Sequence, residues 1–296
     1  MTNISPRVDI VFKKIFGIDD NKDLLISLIN SIVSIEDQVS EVVLLNPYNP
    51  KNFRQDKLSV LDIKATGNNG KKLNIQIQIG DEANYDKKAL YYWAKLYSEQ
   101  FKVAEDYSSL SKAIGIHILN FTSIPLEQKY HNVFHIAEKE SGLLYFKDLE
   151  LHTIELKKFS NNFNEQLVDI LAKVRNKLDM WVTFLTRSDL LKVNDLPENL
   201  NDIYLKKAIK VLDVMNFSSE ERGAYENHLK WLKIEVNTLK KAESIAKAEG
   251  KIEGKAEGKL EGKIEIAQNL IAKGFDENTI FELTGFTKQE IKKYFS

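Results

Sequence analysis

The chain has 296 residues, 43% of them hydrophobic, enough to bury a sizeable core in one large or two smaller domains. Cysteine is absent, which excludes a disulfide framework and a thiolate zinc site and suits a cytoplasmic location. Its 42 basic residues nearly cancel 43 acidic ones, so the chain is not a generally basic nucleic-acid binder, and an anion-binding surface has to be local.

Pro6, just after Ser5, opens a first helix over DIVFKKIF, and Lys22 to Ser34 places Leu24, Leu25, Leu28, Ile29, Ile32 and Val33 at helical spacing. Val39 to Leu45 is β-branched and apolar and stops at Asn46-Pro47, which predicts a strand. Leu58 to Ala65 and Leu73 to Ile79 flank GNNG and form a hairpin. Tyr85 to Val103 recurs in aromatic and long side chains as an amphipathic helix does, and its Tyr91, Tyr92, Trp93 and Tyr97 are expected in the core. Ala113 to Phe121 has the composition of a buried strand, and shorter strands follow at Val133 to Ala137 and Leu149 to Leu156. No stretch approaches the roughly 20 apolar residues of a membrane span, so no membrane association is expected.

After Ser160 the periodicity turns helical, at Leu167 to Leu185, Tyr204 to Met215 and Glu220 to Leu239, broken by Asn194 to Asn201 with Pro197. The fold class is α/β, a mixed sheet with flanking helices, followed by an all-α C-terminal region. The boundaries are a core at 1–158, a helical region at 159–246, a repeat at 247–263 and a small helical module at 264–296. The repeat KAEGKIEGKAEGKLEGK aligns glutamates in one helical row and lysines in another, so its nearest like charges repel. Its glycines each cost about 1 kcal/mol in a helix. It is a flexible linker, or a helix held by a partner helix that sets lysines against glutamates, which would make the chain a homo-oligomer through its C-terminal helices. The last module resembles a helix-turn-helix in outline, with Thr287 and Glu290 forming a capping box.

The chemistry-bearing residues sit on the hairpin. Period two puts Asn74, Gln76 and Gln78 on one strand face and Leu73, Ile75, Ile77 and Ile79 on the other. Asp62 stands among Val60, Leu61 and Ile63, where an uncompensated carboxylate is costly. If Asp62 faces Gln76, the register centres on Asn69 inside the turn. His131 and His135 have the i,i+4 spacing of metal ligands, but no second carboxylate accompanies them and the segment reads partly as strand, so a zinc site is not expected.

The ordered set DIVFKKIFG, DKLSVLDIKA, LNIQIQ, DKKALYYWAKLYSEQ, AIGIHILNF, KYHNVFHI and HTIEL resembles the recombination-promoting nuclease/putative transposase family of the PD-(D/E)XK nuclease superfamily over about residues 7 to 158. The resemblance implies a restriction-endonuclease-like fold and a magnesium-dependent DNA endonuclease of recombination or mobile-element type. It implies Asp62 and the position of Gln76 as the Mg2+ ligands, a cation that polarises the phosphoryl oxygen and activates water. It makes Gln78 the counterpart of the motif's Lys or Gln, and Asp9 the acid of the first helix, where a simple interaction with the helix dipole is the rival explanation. Lys88 stands where the family commonly has an arginine and is the leading displaced positive group. Lys13, Lys87 and Lys88 surround the site as DNA contacts. The departure is Gln76 in place of glutamate, because an amide contributes no formal charge and cannot act as a base near neutral pH. Three readings stay open: a crippled copy, an introduced inactivating substitution, or compensation by another acid. A catalytically inactive nucleic-acid-binding or interaction protein on the same fold is the alternative function.

Overall fold

The structure, a computed structural model, describes residues 4–48, 63–68, 70–78, 80, 84–101, 106–160, 165–215, 217–287 and 290. It divides into two compact units, Met1–Leu232 and Lys233–Ser296.

The first unit is built on a six-stranded sheet in the order β1-β2-β3-β4-β6-β5. Its strands are β1 (Val42–Leu44), β2 (Ile63–Gly67), β3 (Lys72–Gln78), β4 (Ala113–Leu119), β5 (His131–Ile136) and β6 (Phe146–Glu155). The β3–β4 and β4–β6 pairs are parallel and the rest antiparallel. α3 (Tyr85–Ser98) supplies the crossover between β3 and β4 that parallel strands require. This is the mixed sheet with flanking helices expected from the sequence, in keeping with a restriction-endonuclease-like fold.

The hairpin register is the expected one. Ile63 faces Ile75 and Lys64 faces Asn74, so the pairing centres on position 69, and Gly70 at φ 80 supplies the left-handed residue that the turn needs. Asp62 and Ile79 lie outside the described residues.

One face of the sheet carries Leu73, Ile75 and Ile77 of β3, Ile114, Ile116 and Ile118 of β4, and Ile154 of β6. Against it pack α1 (Asp9–Phe16), α2 (Lys22–Ile32), α6 (Lys177–Arg187) and α7 (Ile203–Asp213) in one core, where Trp181 meets Phe16 and Phe184 edge-on. The helices after residue 160 thus share the core of the sheet. At the margin of this face Asp37 takes Lys112 and Lys71, each at 2.6 Å, and Lys112 also holds Glu150 at 2.8 Å.

Several elements differ from expectation for visible reasons. The first strand is short because the Asn30 side chain binds both the N–H and the C=O of Val39, replacing ladder bonds there. The helix expected over Leu167 to Leu185 is two, α5 (Leu167–Leu171) and α6, since a capping box between Asn176 and Asp179 starts the second afresh. In α3 the buried positions are Tyr85, Ala89 and Leu96, while Tyr91 is 61% exposed and Tyr92, Trp93 and Tyr97 are half-buried. The aromatic set is therefore not core. Trp93 and Tyr97 stack with centroids 5.6 Å apart beside the sheet, and Trp93 Nε1 donates to the Ala113 carbonyl.

α8 (Ser219–Ala272) begins in the first unit and ends in the second, and it includes the whole repeat. Within the second unit, Ala267, Ile280 of α9 (Glu277–Thr284) and Phe286 form a small apolar cluster. Beyond residue 287 only residue 290 is described, and the expected capping box is present: Glu290 accepts from Thr287 N, and Thr287 Oγ1 accepts from Glu290 N. Among the described residues no helix is long and apolar enough to cross a membrane.

Candidate functional site

The face of the sheet opposite the main core is polar at its centre. Parallel pairing sets Asn74 beside Gly115, Gln76 beside His117 and Gln78 beside Leu119, so the three amides share a surface with the buried His117 imidazole. α3 covers part of this face, with Tyr85 and Ala89 packed on Leu119 and Phe121. Gly115 makes room for the imidazole, because a Cβ there would stand 2.6 Å from Leu151 Cδ2 and 3.1 Å from His117 Nε2.

Tyr85 Oη lies 2.8 Å from His117 Nδ1 and fixes the ring. Burial pushes the His117 imidazole down to about 4, and the neighbouring Lys88 ammonium and His152 act in the same direction. The ring is accordingly neutral at physiological pH. Lys88 Nζ lies 3.4 Å from Gln78 Oε1 and 5.8 Å from the centroid of the Tyr85 ring. Gln78 Nε2 donates to the Gly80 carbonyl at 3.4 Å. Gln76 is half-buried, and Asn74 Oδ1 is a buried acceptor without a partner two residues earlier.

The structure brings Gln76, Gln78 and Lys88 together. Asp9 sits at the start of α1, where its carboxylate accepts from the N–H of Ile10 at 2.8 Å, as an acid at a helix N-terminus does. Just before it, Arg7 donates to Asn120 Oδ1 at 3.1 Å, and Asn120 N in turn donates to the Gln78 carbonyl, which ties the entry to α1 to the end of β3. Lys87 is exposed and Lys88 half-buried, whereas Lys13 is 4% exposed.

Sequence reasoning missed three parts of this region. His117 and Tyr85 sit in segments that read simply as strand and helix, and only the parallel register reveals that they flank Gln76. Arg7 is a lone cation before the first helix. The third is a 420 Å3 pocket at the same end of the parallel strands, lined by Thr122, Gln128, Lys157, Lys158 and Lys173 among others. Its signal in the sequence was the pair Lys157-Lys158 straight after the strand. Lys158 is ion-paired with Glu155 and Lys173 with Glu165.

A divalent cation needs hard oxygen donors, and magnesium held by protein usually has one or two carboxylates among them. On this face the described groups in line with Gln76 are the amides of Asn74 and Gln78, the His117 imidazole and the Thr153 hydroxyl, and Glu155 at the end of β6 is already engaged by Lys158 and by the N–H groups of Ser123 and Ile124. Among the described residues no three His, Cys, Asp or Glu side chains converge as metal ligands. His131 instead bonds His152 at 3.0 Å, and His135 Nδ1 the Leu149 carbonyl. The described donor set does not fit a tightly held magnesium ion. Lys88, Arg7 and Lys157 are cations at this end of the sheet, while Lys158 and Lys173 are balanced by Glu155 and Glu165.

Comparison with known families gives two matches. A model described as PD-(D/E)XK nuclease family transposase matches residues 6–242, and one described as the Rpn/YhgA-like nuclease family, C-terminal HTH domain, matches residues 260–296. No curated protein and no solved structure matches.

Proposed function

For a chain that belongs to the PD-(D/E)XK nuclease family transposases, we propose a DNA-binding role of recombination or mobile-element type in which endonuclease turnover is suppressed at Gln76. Nucleases of this superfamily typically use divalent metal ions, and the observation that carries the reading is the uncharged amide of Gln76 beside neutral His117. Asp62 supplies a formal charge to the Mg2+ site in this proposal, and Gln78 and Lys88 orient and neutralise the phosphate. DNA is held by Lys87, Lys88 and the lysine pocket, with a second contact from the C-terminal helix-turn-helix domain. A cytoplasmic location is part of the same proposal.

The experiment is a plasmid-nicking assay with magnesium or manganese, run beside a DNA-binding assay. Losing an outer-shell partner of a metal already costs about 10- to 100-fold, so Gln76→Glu should raise cleavage at least about 100-fold while leaving binding unchanged. Adding Asp62→Ala should abolish the gain. A folded Gln76→Glu variant that binds no magnesium by calorimetry and cleaves nothing would show the site to be misplaced. Equal cleavage by the two forms would remove the suppression.

A further inference from the structure

α3 covers only part of the polar face of the sheet, and by its last turn a cleft of 510 Å3 opens, the size of a small-ligand site. Strand register sets its floor. Lys72 opens β3 on the same face as Gln76 and Gln78, Lys64 of β2 stands opposite Asn74, and Leu45, whose N–H donates to the Lys64 carbonyl, extends the floor past β1. Leu96 and Glu99 of α3 line it on one side, and Gln100, Ser109 and Ser111 on the other.

The second wall is held in place by its own hydrogen bonds. Gln100 Oε1 accepts from Ser111 N at 3.0 Å, Gln100 Nε2 donates to the Ser111 carbonyl at 2.9 Å, and Ser109 Oγ donates to the Asp106 carbonyl at 2.7 Å. Ser111 Oγ itself has no hydrogen-bond partner among the described residues, and Gly70 keeps its space, since a Cβ there would stand 3.1 Å away. Of the two ammonium groups, Lys64 is balanced by Glu99 at 3.3 Å, and Glu99 also meets Lys95 at 3.7 Å. Lys72 Nζ donates to the neutral Thr66 hydroxyl at 3.1 Å and has no carboxylate partner among the described residues. The Asp106 carboxylate accepts from Ser108 N at 2.8 Å and does not line the cleft. One uncompensated cation and one available hydroxyl donor suit a single phosphate.

Apolar surface accompanies this anion site. Leu45 is 53% exposed and Leu96 forms the wall above it. At the start of the short turn Tyr107–Ser109, Tyr107 is 76% exposed and stacks on Phe101 with ring centroids 4.6 Å apart. A stacked pair exposed to that degree leaves one ring face open, as a platform for a nucleic-acid base does.

The cleft also lies in line with Gln76. Lys72 precedes it by four residues on the same strand, about 13 Å. Lys88 reaches Gln78 and Glu99 reaches Lys64, so Lys88, Tyr92, Lys95 and Glu99, three or four residues apart, form the flank of α3 that follows β2 and β3 from one place to the other.

We propose that the cleft holds one unpaired nucleotide of a DNA strand whose duplex part lies on the Gln76 face. Its phosphate sits on Lys72 and Ser111, its sugar against Leu45 and Leu96, and its base on the Tyr107 ring. This rests on the DNA-binding reading of the Gln76 face and adds to it a preference for DNA with a single-stranded end.

The test measures the affinity of the full chain, by fluorescence anisotropy, for a blunt duplex and for the same duplex carrying a 5′ or 3′ tail of about four thymidines. A hydrogen bond to a charged group is worth about 10-fold or more, so one of the tailed duplexes should bind about 10-fold more tightly than the blunt one. Lys72→Gln should erase that gain with an unchanged circular dichroism spectrum, and Lys72→Arg should keep it. The slope of log affinity against log salt for the tailed DNA should fall by about 0.7 in Lys72→Gln, the value of one single-strand phosphate. Lys87→Ala with Lys88→Ala should weaken tailed and blunt DNA alike and preserve their ratio, so the Gln76 reading and the cleft are judged on different quantities. No gain from a tail of either polarity overturns the proposal, whether or not free deoxyadenosine monophosphate binds in calorimetry. A gain that survives Lys72→Gln overturns it as well, and absence of binding to every duplex overturns both the proposal and the reading beneath it.

Discussion

Lowering the pH from 7 to 4.5 should destabilise the fold through His117. Its imidazole is 1% exposed, held by Tyr85, and pushed down to about 4 by burial first and then by Lys88 and His152. An unfolded histidine titrates near 6.5. Between these values the unfolded chain binds a proton that the folded chain refuses, so stability rises with pH there and falls on acidification. The slope is about 1.4 kcal/mol per pH unit for one proton, which over the whole interval amounts to about 3 kcal/mol. Urea unfolding at half-unit pH steps measures it, with His117→Asn as reference. The variant carries its own constant cost, but the difference between the two curves should shrink by about 2–3 kcal/mol from pH 7 to pH 4.5. His131, also pushed down to about 4 by burial and His152, contributes to both curves and cancels. Parallel curves, or a His117 resonance in the folded protein titrating near 6.5, would refute the argument.

Trp181→Ala should cost about 3–5 kcal/mol in urea unfolding, because the indole is fully buried between Phe16 and Phe184 and a cavity replaces it. Lys87→Ala with Lys88→Ala should weaken DNA binding and reduce the slope of log affinity against log salt by about 2, the value for two phosphate contacts. Lys157→Ala with Lys173→Ala should act in the same direction by electrophoretic shift across a salt series. An unchanged slope in both pairs would move the DNA surface to the C-terminal helices.

The strands were legible in the sequence because a buried two-sided strand is a run and a half-polar one alternates. AIGIHIL reads as a run and LNIQIQ as an alternation, and both are strands where expected. Even the hairpin register followed, since the turn and the alternation had to agree. What periodicity did not carry was the partner of each face. The spacing of Tyr91, Tyr92, Trp93 and Tyr97 marks an amphipathic helix, but α3 lies over a sheet rim and buries only the Tyr85, Ala89 and Leu96 line. His117 was hidden in the same way: within AIGIHIL it is one polar residue in an apolar run. Only the parallel pairing with β3, a contact across the whole of α3 in sequence, sets it beside Gln76.

The repeat shows where local accounting stops. Four glycines cost about 4 kcal/mol relative to alanine, and the like-charge rows repel, which is an argument against an isolated helix. Gly250, Gly254, Gly258 and Gly262 meet no neighbouring atom within 4 Å of where a Cβ would stand, so no close-packed helix among the described residues offsets that cost. The segment is helical nonetheless, and the reason lies at its ends. Ser218 and Glu221 cap the start of α8, and Glu221 is bound there by Lys14 at 2.9 Å and by Tyr48. At the other end Ala267 is fully buried against Ile280 and Phe286. Helix formation is dear in its nucleus and cheap in its propagation. A helix nucleated at both ends by tertiary contacts has only the propagation cost of the residues between. The composition of the repeat sets that cost but not whether the flanking nuclei exist, and those are written tens of residues away, in Tyr48 and Phe286.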